Sequence, residues 1–126
     1  MRDEAEYFRS VLDNLTGGFL SVDLEGRVVY MNPMAGRILR IGEVGAVRGR
    51  PYETALAAYP TLQGVVRETL ETRRTVHRAE VQVTHADAAM TIGYSTLQVK
   101  NPAGECLGIG IIFQDLTLAG RKKLVG

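Results

Sequence analysis

The chain has 126 residues, with 15 lysines and arginines against 14 aspartates and glutamates, a net charge of +1 and 45% apolar residues. That length suits one domain with a core of its own, and the composition excludes disordered and collagen-like classes. So balanced a charge lacks the concentrated positive field that a phosphate backbone demands, which argues against nucleic acid as a direct partner.

Along residues 1–16, Phe8, Val11, Leu12 and Leu15 recur at i, i+3, i+4 and i+7 while Asp3, Glu4, Glu6 and Arg9 take other faces, so an N-terminal amphipathic helix is expected. Two glycines, Gly17 and Gly18, break it, and residues 19–22 read as the first strand. Asp23-Leu24-Glu25-Gly26 then supplies the side-chain oxygen and the φ > 0 position of a tight hairpin, and Val28–Met31 forms its second strand. Asn32 ends that strand as a helix cap, with Pro33 at the first helical position, where a missing N–H costs nothing. Ile38, Leu39 and Ile41 mark a short helix, after which Gly42, Gly45 and Gly49 predict loop.

Residues 52–59 have room for one or two helical turns. Pro60-Thr61 opens the clearest helix, in which Leu62, Val65, Val66, Thr69 and Leu70 share a face and Arg67, Glu68 and Glu71 point away. From Val76 the period becomes two. His77, Ala79, Val81, Val83 and His85 fall on one side of a predicted strand, a turn follows at 86–88, and residues 90–99 give another strand. Asn101-Pro102-Ala103-Gly104 reverses the chain into a last strand at 107–114. Five strands in two groups with helices between the second and third predict an α+β domain over residues 17–117, its sheet antiparallel wherever short turns join neighbours. The helix of residues 1–16 precedes it, and 118–126 begins an outgoing linker.

Two segments carry a resemblance. Asp23, Gly26, Val28, Asn32 and Ala35 fit the Asp-x-x-Gly-x-Ile/Val-x-x-x-Asn-x-x-Ala pattern of PAS sensory domains, and Gln114-Asp115-Leu116-Thr117 is similar to the Asp-Ile-Thr signature that closes the last PAS strand. The resemblance runs over roughly residues 5–120. It implies strand order 2-1-5-4-3, short helices and one longer helix on one face, and a hollow between sheet and helices. With strand alternation deciding which side chains look inward, Ile38, Tyr52, Val66, Leu70, Ile92, Tyr94, Ile111 and Phe113 are candidates to line it, plain core packing being the alternative for each. The resemblance further implies that Asp115 and Thr117 tie the domain to its outgoing chain, residues 118–124, in which Gly120 departs from the usual helix-forming connector.

Other chemistry finds little seat. His77 and His85 fall at opposite ends of one predicted strand, about 26 Å apart at roughly 3.3 Å per residue, too far to share a metal ion. Haem-binding PAS domains hold their iron from the long helix, and residues 62–72 contain no histidine. Flavin-binding members keep a cysteine in an Asn-Cys-Arg-type motif before that helix, whereas Cys106 lies at the turn into the last strand. Neither haem nor flavin is expected, an unidentified small ligand is admissible, and no metal is predicted. Cys106 is the single cysteine, so no internal disulfide forms. No phosphate loop, zinc spacing or serine elbow is present, and no catalytic residue is expected; an enzyme built on Cys106 or His85 would require a polar cleft around one of them.

The opening Met-Arg-Asp-Glu-Ala-Glu lacks an apolar signal segment, and the longest apolar run, 109–113, is far below the ~20 residues that cross a bilayer. A cytoplasmic domain without direct membrane insertion is expected, with an anchor elsewhere in a parent protein left open. The reading is a PAS input module of a bacterial signal-transduction protein, most simply a sensor histidine kinase, joined to effector domains of the same polypeptide. Homodimerisation through Phe8, Val11, Leu12 and Leu15 is expected. A dimerisation module that senses nothing, and the input domain of an enhancer-dependent transcription regulator or a cyclic-dinucleotide enzyme, are the alternatives.

Overall fold

The computed structural model of the protein describes residues 2–117; the linker expected at 118–126, Gly120 included, lies outside the described residues. In chain order the elements are α1 (Arg2–Asp13), β1 (Gly18–Asp23), β2 (Val28–Met31), α2 (Pro33–Leu39), a 3-10 turn (Val44–Val47), α3 (Tyr52–Ala55), α4 (Pro60–Thr72), β3 (Ala79–His85), β4 (Ala88–Lys100) and β5 (Cys106–Asp115). The strands make one sheet in the order β2-β1-β5-β4-β3, and every neighbouring pair is antiparallel. The α+β class and the strand order implied by the resemblance are both observed.

The first hairpin closes as its residues dictate. The Asp23 carboxylate accepts the Glu25 and Arg27 N–H groups at 3.0 and 2.9 Å, while the Gly26 N–H donates to the Asp23 carbonyl at 3.0 Å. Gly26 takes φ of +82°, a conformation that costs a residue with a side chain more than it costs glycine. A methyl group there would also stand 3.3 Å from the Tyr52 ring.

Asn32 does more than cap α2. Its side-chain oxygen accepts from Ala35 N–H at 2.9 Å and from Phe19 N–H at 2.8 Å, and its amide donates to the carbonyls of Leu12 (2.9 Å) and Gly17 (3.1 Å). One fully buried side chain thus joins the end of α1, the start of β1 and the first turn of α2. Tyr30 adds a hydroxyl hydrogen bond to Asp13, so α1 is fastened at its root.

The second half differs from expectation at its entry. His77 and Arg78 precede β3, because Arg78 adopts φ of +57° and its N–H donates to the Ser95 hydroxyl at 3.0 Å. The β3–β4 turn places Ala86 and Asp87 at φ of +50° and +68°, a primed hairpin turn without glycine. In the 52–59 stretch only one helical turn forms, over Tyr52–Ala55.

Alternation along β1, β4 and β5 sends Leu20, Val22, Ile92, Ile109, Ile111 and Phe113 to the inner face, where they meet Ala35 and Leu39 of α2, Leu56, Tyr59, and Leu62 and Val66 of α4. On the opposite sheet face Ile112 is exposed, and Val29 and Leu107, which sit at irregularities of the β1–β2 and β4–β5 ladders, are exposed as well. Ile111 is buried and Leu70 only half-buried. Ile111→Ala is therefore expected to cost about 3–5 kcal/mol and Leu70→Ala about 1–2 kcal/mol, read from urea unfolding; equal losses would contradict this core.

Candidate functional site

The hollow expected between sheet and helices is occupied by side chains. Tyr52, Val66, Ile92, Ile111 and Phe113 are buried within one contiguous cluster, and Ile38, Leu70 and Tyr94 pack half-buried at its margin. Val66 and Ile92 have no exposed surface at all. Around this apolar floor stand phenols. The Tyr59 hydroxyl donates to the Leu39 carbonyl at 2.6 Å and its ring stacks on His85 with centroids 5.6 Å apart, contacts between segments 20 or more residues apart that no local pattern signals.

Burial pushes the phenols of Tyr52, Tyr59 and Tyr94 above the usual tyrosine range; the carboxylates of Glu53 and Glu68 add to this at Tyr52 and Tyr94, while Arg40 works against it at Tyr59. A raised phenol binds its proton longer in the folded chain than in the unfolded one. The stability this represents is complete below about pH 10 and is lost as pH rises through the folded-state value. Unfolding followed by circular dichroism above about pH 10 should thus track phenolate absorbance, and replacing Tyr59 with phenylalanine should shift it to higher pH.

At the exit, the residues after β5 turn back onto β4. The Asp115 carboxylate accepts Thr117 N–H at 2.9 Å, Leu116 N–H donates to the Thr91 carbonyl at 2.8 Å, and Thr91 N–H donates to the Thr117 hydroxyl at 3.0 Å. Asp115 is itself paired with Ile92 across the β4–β5 ladder. The two candidate relay residues are thereby joined to each other and to the strand that carries Ile92. Thr91 and Gly93 were not among the sequence candidates, yet a glycine inside a strand pattern is the signal of close approach that could have found one of them.

The remaining candidates stay apart. His77 stands 3.5 Å from the Ser95 hydroxyl on the outer side, while His85 lies under Tyr59 with its Nδ1 buried and unpartnered. Cys106 opens β5 half-buried, its Sγ 3.4 Å from the Gly108 carbonyl. Among the described residues, no cluster of three or more His, Cys, Asp or Glu side chains could hold a metal ion, and no helix is long and apolar enough to cross a membrane. A surface groove of about 490 Å³ runs over the outer sheet face between Arg78, Glu80, Ser95, Ile112, Gln114 and Leu116. On α1, Tyr7, Phe8 and Val11 are exposed and Leu12 is half-buried; the helix ends at Asp13, so Leu15, also half-buried, lies beyond it and not on the stripe expected for it.

With this sheet, capped hairpin and exit in view, comparison with known proteins gives the family. Residues 12–120 match the model of the PAS fold, and the chain belongs to that family. It is 30% identical over 108 residues to the signal transduction histidine-protein kinase AtoS of Escherichia coli K12, covering 85% of this chain but only 17% of that protein. Among solved structures, the PAS domain of Bordetella pertussis BvgS superimposes with a TM-score of 0.72 at 24% identity, covering 97% of this chain and 94% of that one. Vibrio cholera VqmA, solved as a complex with ligand and DNA, gives 0.66 at 21% identity over 93% of this chain and 52% of its own. These structural likenesses concern the fold. The chain is a PAS sensory domain.

Proposed function

We propose that this domain is the input module of a sensor histidine kinase, that it binds a small ligand or mediates dimerisation, and that it passes the response to effector domains of the same polypeptide through Asp115 and Thr117. The reading rests on one observation above all: the residues leaving β5 are hydrogen-bonded to Thr91, next to a residue of the inner core. The relationship to AtoS favours a kinase as the output. A ligand can act here only by favouring one of two arrangements of the exit, since equal affinity for both shifts nothing.

Native mass spectrometry of the protein purified from its own host tests this. The expected result is a bound species of constant mass that leaves on denaturation and whose return shifts the melting temperature upward. A ligand-free spectrum under every growth condition of that host would overturn it. The close packing around Val66 and Ile92 favours the second reading, a dimerisation module that senses nothing, in that event.

Self-association through α1 belongs to the same proposal. Its root is fastened by Asn32 and Tyr30, so the exposed Tyr7, Phe8 and Val11 stand on a helix held in one position, suited to pairing with the same stripe of a second copy across a two-fold axis. Light scattering of Phe8→Asp/Val11→Asp should read one copy where the wild type reads two. A dimer that survives both changes counts against this helix.

A further inference from the structure

Consecutive strand residues point to opposite faces, so a three-residue stretch can touch the core with its middle member and the outside with its flanks. In β4 the middle member is Ile92, which is 0% exposed and packed in the inner cluster. Its flanks, Thr91 and Gly93, face outward, and both are engaged by the outgoing chain. Thr91 uses both backbone groups, accepting from Leu116 N–H at 2.8 Å and donating to the Thr117 hydroxyl at 3.0 Å. Gly93 receives the Leu116 side chain. A methyl group on Gly93 would lie 2.8 Å from Leu116 Cδ1 and 3.2 Å from Cγ, so the half-buried leucine occupies the space that a larger residue would fill.

We propose that Thr91, Ile92 and Gly93 act as a two-sided transmitter, Gly93 being a positioning residue that seats Leu116 so that any displacement of Ile92 is felt by the exit. The inference rests on the sensory reading given above and specifies how its signal leaves the core. Ile92 and Asp115 are directly paired in the β4–β5 ladder, so the inward side chain and the start of the exit share one rung. A shift of Ile92 tilts the backbone on either side of it, and both flanks carry the outgoing chain. No other inner-face residue of β4 has both its flanks so engaged among the described residues: Tyr94 lies between Gly93 and Ser95, and Ser95 is bonded to Arg78 and His77.

Amide hydrogen exchange of the full 126-residue chain, followed by NMR, tests the arrangement, with amides of the β1–β5 ladder as the internal reference for global stability. Gly93→Ala should speed exchange at Leu116 and Thr91 by about tenfold relative to that reference, because the methyl group dislodges the leucine. In a Leu116→Ala background the same substitution should change those rates less than about twofold, since the side chain it displaces is gone. Ile92→Val, a change confined to the inner face, should also speed both amides, whereas Ile109→Val, the same change on the inner face of β5, should leave them at the reference.

Rates at Leu116 and Thr91 that do not respond to Gly93→Ala would overturn the seat. Rates that respond equally to Ile92→Val and Ile109→Val would overturn the link between core and exit. Neither readout needs a ligand, so its failure is separable from a failure to find one by mass spectrometry.

Discussion

Replacing Asn32 with alanine should lower stability by about 3–5 kcal/mol and the melting temperature by roughly 10–20 °C, measured by thermal and urea unfolding. The change strands the N–H groups of Phe19 and Ala35 and the carbonyls of Leu12 and Gly17 around a side chain that has no exposed surface. Each buried group without a partner costs about 1–3 kcal/mol, reduced here because the Leu12 end can reach water. Loss of a simple helix cap would cost only about 1 kcal/mol, so the size of the effect separates a hub from a cap. A second variant adds a sign. Asn32→Asp keeps the one oxygen that accepts both N–H groups but turns a second carboxyl oxygen, in place of the amide nitrogen, toward two carbonyl oxygens, which favours its protonated form in the folded chain. Its folded-state value would lie above the ~3.9 of an unfolded aspartate, and the variant should become less stable, relative to wild type, as pH rises above ~4. A deficit that shrinks with rising pH would contradict the geometry.

Gly108→Ala is the other large effect. A methyl group on Gly108 would stand 2.2 Å from the Val22 carbonyl oxygen and 3.0 Å from the Asp23 Cα, and these are backbone atoms of the strand to which it is paired. Side chains can turn away from such a contact; a paired strand can yield only by opening the ladder. The expected cost is about 3 kcal/mol or more, at the upper end of what an added methyl group does in a packed core. Gly110→Ala is the internal comparison, because the atoms nearest its methyl group would be side-chain atoms of Leu97 and Phe19, at 3.2 Å, and it should cost about 1 kcal/mol. A methyl group on Gly45 would meet nothing within 4 Å, so alanine there should be close to neutral. Similar unfolding midpoints for all three variants would mean that β1 and β5 do not approach as described.

Much of the fold was legible because its signals are local. The stripe of Phe8, Val11 and Leu12, the Asp23 to Gly26 turn, the Asn32-Pro33 helix start and the period-two run through Val81 and Val83 each follow from the pitch of a helix, the pleat of a strand or the φ of one residue. Glycines inside a strand such as β5 signal close approach, but they do not say what approaches. For Gly108 it is the backbone of β1, and for Gly110 the side chains of Leu97 and Phe19.

The start of β3 was read two to three residues early. Nothing in the alternation of His77 and Ala79 reveals that Ser95, 17 residues beyond Arg78, takes the Arg78 N–H and releases that residue into a left-handed turn. The candidate site divides in the same way. Asp115 and Thr117 could be chosen from a resemblance in four consecutive residues, but their fastening to Thr91 spans 26 positions and depends on the register of β4 against β5.

The sequence by itself determined the five strands and the longer helices in outline, the capped hairpin that begins the domain and the acid and hydroxyl that end it, since each is written in residues no more than a few positions apart. Only the tertiary structure decided that Asn32 holds α1 as well as α2, that Leu116 rests on Gly93, and that Tyr7 and Phe8 are left facing solvent. Those outcomes depend on which residues of distant strands fall opposite one another, and strand register is fixed by the packing of the whole inner face rather than by any one segment.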